Sequence, residues 1–379
     1  MKKLLATSAL ATSALIAMSL PAAADIQITL GSGGLKATDT EHGIQFKMGG
    51  RIMYDYINIE TEPKDGDAVT EVNDMKLRRA RIFAAGEMAD WSFKAQFNIL
   101  DSADAGTPED LYIRYKGLGK LAVLTLGKQK EPFSLEQLES SKDITLLERA
   151  ASVEAFAFGR NYGLTLSGGW SHGYYAVGIY EDKSNDAVAD KVTMNDPAIT
   201  ARFTTTPYKA DNALVHLGAG ISHRKNAIEV LDGQYISTTK QTYNVELGAS
   251  IAAFHAQAEY FRSVQEELVD GGADIKHDGY YALVGYVMTG EHRGYKKGAF
   301  KRIKPESKAG AWEVTYRYEG GYGKYKDFGL GTDNGTAHTA GVNWYANNNV
   351  KVGVNYGMAE MDATEEKGQS FRIRTQLVW

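Results

Sequence analysis

The sequence predicts an all-β protein: a transmembrane, antiparallel, 16-stranded β-barrel with an inward-folding constriction loop. Three observations carry that expectation. The N-terminus is built for export, yet no helix-length apolar run follows it. Apolar and polar residues alternate from Ile44 to Trp379. Short turns then take turns with long polar loops along the chain. Side chains of a strand point to opposite faces with period two, so one face of each segment is greasy and the other is not.

Met1-Lys-Lys is followed by the apolar run Leu4 to Leu20 and then by Pro21-Ala-Ala-Ala24. A charged start, a short hydrophobic middle and an Ala-x-Ala end read as a secretory signal peptide over residues 1–24, cut before Asp25. The run is short and interrupted for a membrane-spanning helix, and no later window approaches the ~18 consecutive apolar residues that such a helix needs. A mature chain inserted in a membrane must therefore cross it as a closed barrel, because open sheet edges cannot be left in lipid. There is no Cys, which excludes a disulfide frame and a thiolate metal site. Twenty-two Tyr and 40 Gly against 7 Pro suit strands and turns. The formal net charge is −5 for the whole chain and −7 once Lys2 and Lys3 leave with the signal.

Residues 25–43, with Gly31-Ser-Gly-Gly34, read as a flexible periplasmic leader, and residues 44–379 as the barrel. Ile44, Phe46, Met48, Ile52, Tyr54 and Tyr56 form the first apolar face, opposite Gln45, Lys47, Arg51 and Asp55. Ala80, Ile82 and Ala84 oppose Arg79, Arg81 and Phe83, and Leu77 leaves the register of 74–88 open. Phe93, Ala95, Phe97 and Ile99 oppose Lys94, Gln96 and Asn98, and Leu111, Ile113 and Tyr115 oppose Tyr112, Arg114 and Lys116. The same grammar repeats from Tyr162 to the terminal Phe371, Ile373, Leu377 and Trp379, whose opposite face carries Arg372 and Arg374. A last strand with aromatic residues Phe371 and Trp379 resembles the signal read by the barrel-assembly machinery of Gram-negative outer membranes. A soluble sandwich would alternate too, but would seldom sustain sixteen such units with loops so lopsided.

With an even number of strands, the loops near 60–73, 128–159, 182–196, 225–239, 264–276 and 361–367 fall outside and the turns at 89–90, 117–119, 171–172, 252–253 and 346–349 inside. Gly290 to Ser307 is long yet falls on the periplasmic side, with room to fold into the barrel mouth.

Charges of the two signs sit apart. On the non-lipid parity lie Lys47, Arg51, Arg79, Arg81, Lys94, Arg114, Lys116, Arg202, Arg317, Lys351, Arg372 and Arg374, against Asp55, Glu246, Glu259 and Glu313. In a narrow wet tube this wall concentrates anions; the alternative is that the lumen charges pair with one another and only keep the channel wet. The acidic residues collect outside: Glu60, Glu62, Asp65, Asp67, Glu71 and Asp74 in one loop, and Asp182, Asp186, Asp190 and Asp196 in another. Glu266, Glu267, Asp270 and Asp274 fill a third, and Asp362, Glu365 and Glu366 the last. They solvate the loops or bridge divalent cations to lipopolysaccharide, and no spacing names a metal site.

In the longest loop, Ser134 is placed to cap a short helix with Gln137 reaching back, and Leu135 and Leu138 to pin it to the wall. Lys128 and Lys130 stand at its root, where an anion shedding water needs charge, but Glu131, Glu136 and Glu139 close by would oppose an anion. The periplasmic segment holds Arg293, Lys296, Lys297, Lys301, Arg302 and Lys304, either a solvated turn or a cationic exit vestibule. Eight scattered His residues lack metal spacing, no nucleophile elbow occurs, and no enzyme, cofactor or nucleic-acid partner is expected.

Gly50-Arg-Ile-Met-Tyr-Asp55, Leu77-Arg-Arg-Ala-Arg-Ile82, Gly127-Lys-Gln-Lys-Glu-Pro-Phe-Ser-Leu135, Thr289-Gly-Glu-His-Arg293, Gly310-Ala-Trp-Glu313 and Gly341-Val-Asn-Trp-Tyr345 run in order through the mature chain. Together they resemble the phosphate-selective porin O/P family. That resemblance implies a homotrimer of sixteen-stranded barrels, each narrowed by inward-folding loops and by a periplasmic turn lined with Arg and Lys. Small anionic solutes, phosphate or polyphosphate first, would be the cargo; a general porin for small hydrophilic solutes, or a sealed barrel serving as adhesin or anchor, are the other readings.

Overall fold

A computed structural model describes residues 26–31, 33–62, 69–100, 106–182, 197–231, 234–266, 274–324, 332–362 and 366–379. The expected signal peptide lies outside the described residues, as do Asp65, Asp67, Asp186, Asp190, Asp196, Glu267, Asp270 and Glu365. A hairpin of β1 (Ile26–Gly31) and β2 (Gly34–Asp39) precedes the barrel. The barrel begins with β3 (Ile44–Glu62), β4 (Thr70–Met88), β5 (Trp91–Asn98), β6 (Thr107–Tyr115) and β7 (Val123–Lys130). A long loop with α1 (Leu135–Leu138) and α2 (Ala151–Phe156) follows. The wall resumes with β8 (Arg160–Trp170), β9 (Gly173–Tyr180), β10 (Ala198–Lys209), β11 (Ala213–Leu231), β12 (Gln234–Ile251), β13 (Phe254–Gln265) and β14 (Ile275–Val287). After the small ribbon β15 (Tyr295–Lys296) and β16 (Ala299–Phe300) come β17 (Ala311–Lys324), β18 (Thr332–Tyr345), β19 (Val350–Met361) and β20 (Lys367–Val378).

Each barrel strand pairs antiparallel with its neighbours in the order β3 to β14 and then β17 to β20, and β20 returns to β3 from Val378↔Arg51 to Lys367↔Glu62. That closure makes sixteen strands and leaves no edge at mid-height, as a membrane requires. The outer face is apolar and exposed: Leu126, Phe203, Val245 and Val284 are all more than half open. Aromatic pairs ring the short-turn rim, with Trp91 against Tyr115 at 4.7 Å, Phe254 against Tyr286 at 4.5 Å and Trp312 against Trp344 at 5.8 Å. Such a band marks the interface with lipid headgroups.

The hydrophobic core sits inside the tube. Phe133, Leu146, Ala150 and Val153 of the long loop pack on Phe261, Tyr281 and Leu283 of β13 and β14. The loop thus fills the lumen on the β11 to β17 side, and the passage is displaced toward β3 to β9. The segment after β14 also folds inward, as its length suggested, and Phe300 packs there with Leu135 and Leu214.

The structure departs from the sequence reading in two places and settles a register that the sequence left open. Where a flexible leader was expected, Ile26–Gly31 and Gly34–Asp39 are strands, and β2 continues the sheet beside β3 from Leu35↔Met48 to Asp39↔Ile44, below the end of β20. The expected loop at 225–239 is mostly strand, since β11 runs to Leu231 and β12 starts at Gln234. The open register at 74–88 is a β-bulge: Met53 pairs with Arg79 and Tyr54 with Leu77, which leaves Arg78 as the extra residue. A bulge sets two residues against one. Leu77 therefore stays outside while Arg78 and Arg79 both reach Glu148 of the long loop.

A cationic eyelet between two inward-folded segments

A second bulge shapes the passage. Between Ala95↔Leu111 and Phe97↔Pro108, Gln96 faces two residues, Glu109 and Asp110, and both carboxylates point into the tube. Period-two reading cannot see this, which is why neither residue was singled out from sequence. Arg160 donates to Asp110 at 2.5 Å and lies 2.7 Å from Glu109, Lys94 meets Asp110 at 2.5 Å, and Arg81 meets Glu109.

Lys94, Asp110 and Arg160 face a cavity of about 350 Å³. Among the described residues its lining holds eight cations, Arg51, Lys94, Arg114, Lys130, Arg160, Lys296, Lys297 and Lys301, and one carboxylate, Asp110. Arg51 donates to the Ser140 and Ser141 hydroxyls at 3.1 and 2.8 Å. Lys130 donates to the carbonyls of Gln137 and, at 2.8 Å, Glu139. Arg114 lies over the Tyr112 ring and donates to Thr125 at 3.1 Å. A wider cavity of about 680 Å³ opens below and shares Arg114, Lys296 and Lys297 with the first, adding Lys116, Lys120 and Lys209. Burial lowers the Lys297 and Lys301 pKa values, the first helped by neighbouring Arg114 and Lys296 and the second opposed by Asp143 and Glu139.

The loop is anchored as expected at one end only. The Ser134 hydroxyl accepts from Gln137 N at 3.2 Å, but the Gln137 side chain goes to the Phe158 carbonyl. Wall residue Glu259 supplies the rest, accepting from the Leu135 and Glu136 amides at 2.9 Å each. Leu135 is buried, whereas Leu138 faces the cavity. The three glutamates expected to repel anions turn away from it. Glu131 is held by Arg224 at 2.6 Å, Glu139 by Arg293 at 2.8 Å, and Glu136 accepts from Ala150 N at 2.9 Å. Burial pushes the Glu139 carboxyl up to about 7, with Arg293 opposing.

The predicted basic wall divides into lining and anchors. Arg51, Lys94, Arg114, Lys130, Lys296, Lys297 and Lys301 line the eyelet, and Arg81 joins through Glu109. Arg202, Arg317 and Arg374 are buried anchors instead, because each meets a wall carboxylate: Glu246 at 2.5 Å, Glu319 at 2.9 Å and Asp55 at 2.6 Å. Arg79 sits 3.7 Å from Glu148, and Arg372 borders a separate cavity above the loop. Of the periplasmic cluster, Arg293 and Arg302 serve packing, the latter stacked over Tyr345 and donating to Asn347 O at 3.2 Å. Lys128 does not line the pore. It opposes Leu111 and Tyr162, keeps the outward parity of Leu126, and lies 5.8 Å from the Tyr162 ring.

Comparison with known proteins agrees with this geometry. The sequence profile of phosphate-selective porin O and P matches residues 46–235 and 229–379. Porin O of Pseudomonas aeruginosa is 28% identical, with 94% of this chain and 93% of that protein covered. Among solved structures, the anion-selective porin of Comamonas acidovorans superposes with a TM-score of 0.60 at 12% identity, over 89% of this chain and 100% of that one. The outer-membrane channel DcaP of Acinetobacter baumannii gives 0.59 at 12% identity, over 90% and 99%.

Proposed function

The chain belongs to the phosphate-selective porin O and P family and is an outer-membrane porin of a Gram-negative bacterium, a channel rather than an enzyme, and from that premise we propose that it passes small anions, with phosphate as the preferred class. The observation that carries this reading is the eyelet, where eight cations and one carboxylate face a cavity of about 350 Å³. In a tube walled by low-dielectric material such a charge excess focuses potential on the passage.

An oxyanion entering the eyelet sheds water, and Arg51, Lys130 and Ser140 of its lining supply donors in its place. Asp110 offsets Arg160 and Lys94, so the site holds an anion without trapping it. Lys296 and Lys297 reach both cavities and hand the anion on to the lower one. Conduction needs both properties, binding strong enough to enter and weak enough to leave. We further read the assembly as a homotrimer set among outer-membrane lipid and lipopolysaccharide and inserted by the barrel-assembly machinery.

Planar-bilayer recordings test this. A KCl gradient should give a reversal potential of chloride sign, and added phosphate should block the chloride current. Cation preference contradicts the anion reading. Anion preference without phosphate block leaves a general pore with a basic bias.

A further inference from the structure

A second aromatic row crosses the outer face of β12, β13, β14 and β17 toward the long loops: Tyr243, Tyr260, Tyr280, Tyr318 and Tyr322. Gly320 makes room for it, since a Cβ there would lie 2.7 Å from the Tyr280 hydroxyl, and the Tyr280 and Tyr318 rings meet at 6.1 Å. Within the row sits a carboxylate. Asp278 keeps the outward parity of Ala282 and Val284, yet only 2% of it is exposed. Tyr260 donates to its Oδ1, and Arg262 Nε stands 3.5 Å from the same oxygen. Its Oδ2 is buried and accepts no hydrogen bond among the described residues, which costs free energy. The effect of this carboxylate is to hold Arg262, whose side chain is 46% exposed.

Lys276 is exposed and stands one outward position above Asp278 on β14, diagonal to Arg262 across the ladder. Residues so related lie about 7–8 Å apart, close enough for two long side chains to reach a common ligand. Lys276 forms no ion pair among the described residues, unlike Lys367 on the same rim, which meets Glu360 at 3.4 Å. Below the pair the outer face turns apolar, with Val245, Leu247 and Val284 all more than half exposed. Cations above tyrosines above an apolar strip fit an amphiphile with an anionic head. In the outer leaflet of a Gram-negative outer membrane that amphiphile is lipopolysaccharide, whose lipid A carries phosphates on its sugars and acyl chains beneath them. We propose that Arg262 and Lys276 bind one phosphate of a lipopolysaccharide molecule whose acyl chains run down Val245, Leu247 and Val284, with Asp278 as the positioning residue that keeps Arg262 aimed at the headgroup. The eyelet plays no part, because these side chains face away from it.

This inference rests on the lipopolysaccharide setting proposed above, and the choice of probes separates their failures. Protein extracted from outer membranes and stripped of lipid is titrated with bis-phosphorylated lipid A, dephosphorylated lipid A and phosphatidylglycerol, and bound lipid is read by native mass spectrometry. The parent should hold bis-phosphorylated lipid A most tightly. Arg262→Gln with Lys276→Gln should weaken that binding about tenfold or more, the scale of a lost charge-assisted hydrogen bond, while single-channel conductance stays unchanged. Either substitution alone should lose part of it. Asp278→Asn should weaken bis-phosphorylated lipid A and leave the dephosphorylated form unaffected, which a merely structural role would not do. A parent that binds no form of lipid A overturns the setting and the site together. Equal binding by parent and double variant, or no preference for bis-phosphorylated lipid A over the other two lipids, overturns the site alone.

Discussion

Arg293 and Glu139 meet at 2.8 Å inside the barrel, although one belongs to the periplasmic turn and the other to the extracellular loop. Both are almost wholly buried, and Arg293 also donates to Gln257 of the wall at 2.7 Å. The pair joins the two segments that narrow the passage, so the eyelet is set from both ends. Above about pH 7, where Glu139 is ionised, removing its partner costs about 3–5 kcal/mol because the remaining charge is left uncompensated. Arg293→Ala should therefore lower the melting temperature and raise both the mean single-channel conductance and its noise. A conductance trace indistinguishable from the parent would show that the wall, and not this joint, holds the eyelet.

Two carboxylates of the same loop should give pH slopes of opposite sign. Burial raises Glu139 from 4.5 to about 7 despite Arg293, so the fold favours its protonated form, and its contribution is lost as pH climbs from 4.5 through 7. Burial also acts on Glu148, but Arg374, Arg79 and Arg78 outweigh it and hold the carboxyl at about 2. Its contribution is full above 4.5 and fades as pH falls toward 2. Melting temperatures across pH 2–8 should therefore lose their fall above 4.5 in Glu139→Gln and their fall below 4.5 in Glu148→Gln. Parallel curves for all three proteins would remove both assignments.

Arg51 donates to the hydroxyls of Ser140 and Ser141 and forms no ion pair among the described residues, so its charge faces the cavity. A hydrogen bond to a charged group contributes roughly 1.5–3 kcal/mol, about a 10- to 100-fold change in affinity. Arg51→Ala should weaken phosphate block by that factor and leave the fold intact. Arg374→Ala, by contrast, breaks the bonds to Asp55 at 2.7 and 2.6 Å and should chiefly lower stability. If both variants lost block equally with unchanged melting, the division into lining and anchor would be wrong.

Asp110 is held by Lys94 and Arg160, and neutralising it frees two cations toward the cavity. Asp110→Asn should raise chloride conductance several-fold at low salt and less at 1 M, because the Debye length there is only about 3 Å. Phosphate should also leave more slowly, seen as longer block events. An unaltered chloride conductance at low salt would place Asp110 outside the ion path.

The strand count, the uneven loops and the inward-folding turn were legible because alternation and loop length are local properties. The eyelet was legible only in part. Arg51 and Lys94 follow from parity, but Glu109, Asp110 and the Arg78 to Arg79 pair depend on bulges, which break the very pattern used to read them. Lys128 was misplaced for a related reason: it precedes a loop that turns inward, yet still sits on the strand's outer parity. The anchors were indistinguishable from the lining, since pairing of Arg202 with Glu246 or Arg374 with Asp55 joins residues far apart in sequence.

The last strand closes on a seat that the first one prepares. Gly50 N donates to Trp379 O at 2.9 Å and Trp379 N to Gly50 O at 3.1 Å. A Cβ on Gly50 would lie 2.5 Å from the Trp379 ring and 2.7 Å from the Arg81 carbonyl, so only glycine admits both. Closure at this point is what spares the sheet an open edge in lipid. Gly50→Val should reduce the fraction of heat-modifiable, folded barrel in outer-membrane extracts, and Trp379→Lys should do so as well through loss of the aromatic contact. The two losses should not add when combined, because both act on the same junction. Additive losses would mean that Trp379 acts elsewhere, in recognition by the assembly machinery before the barrel closes.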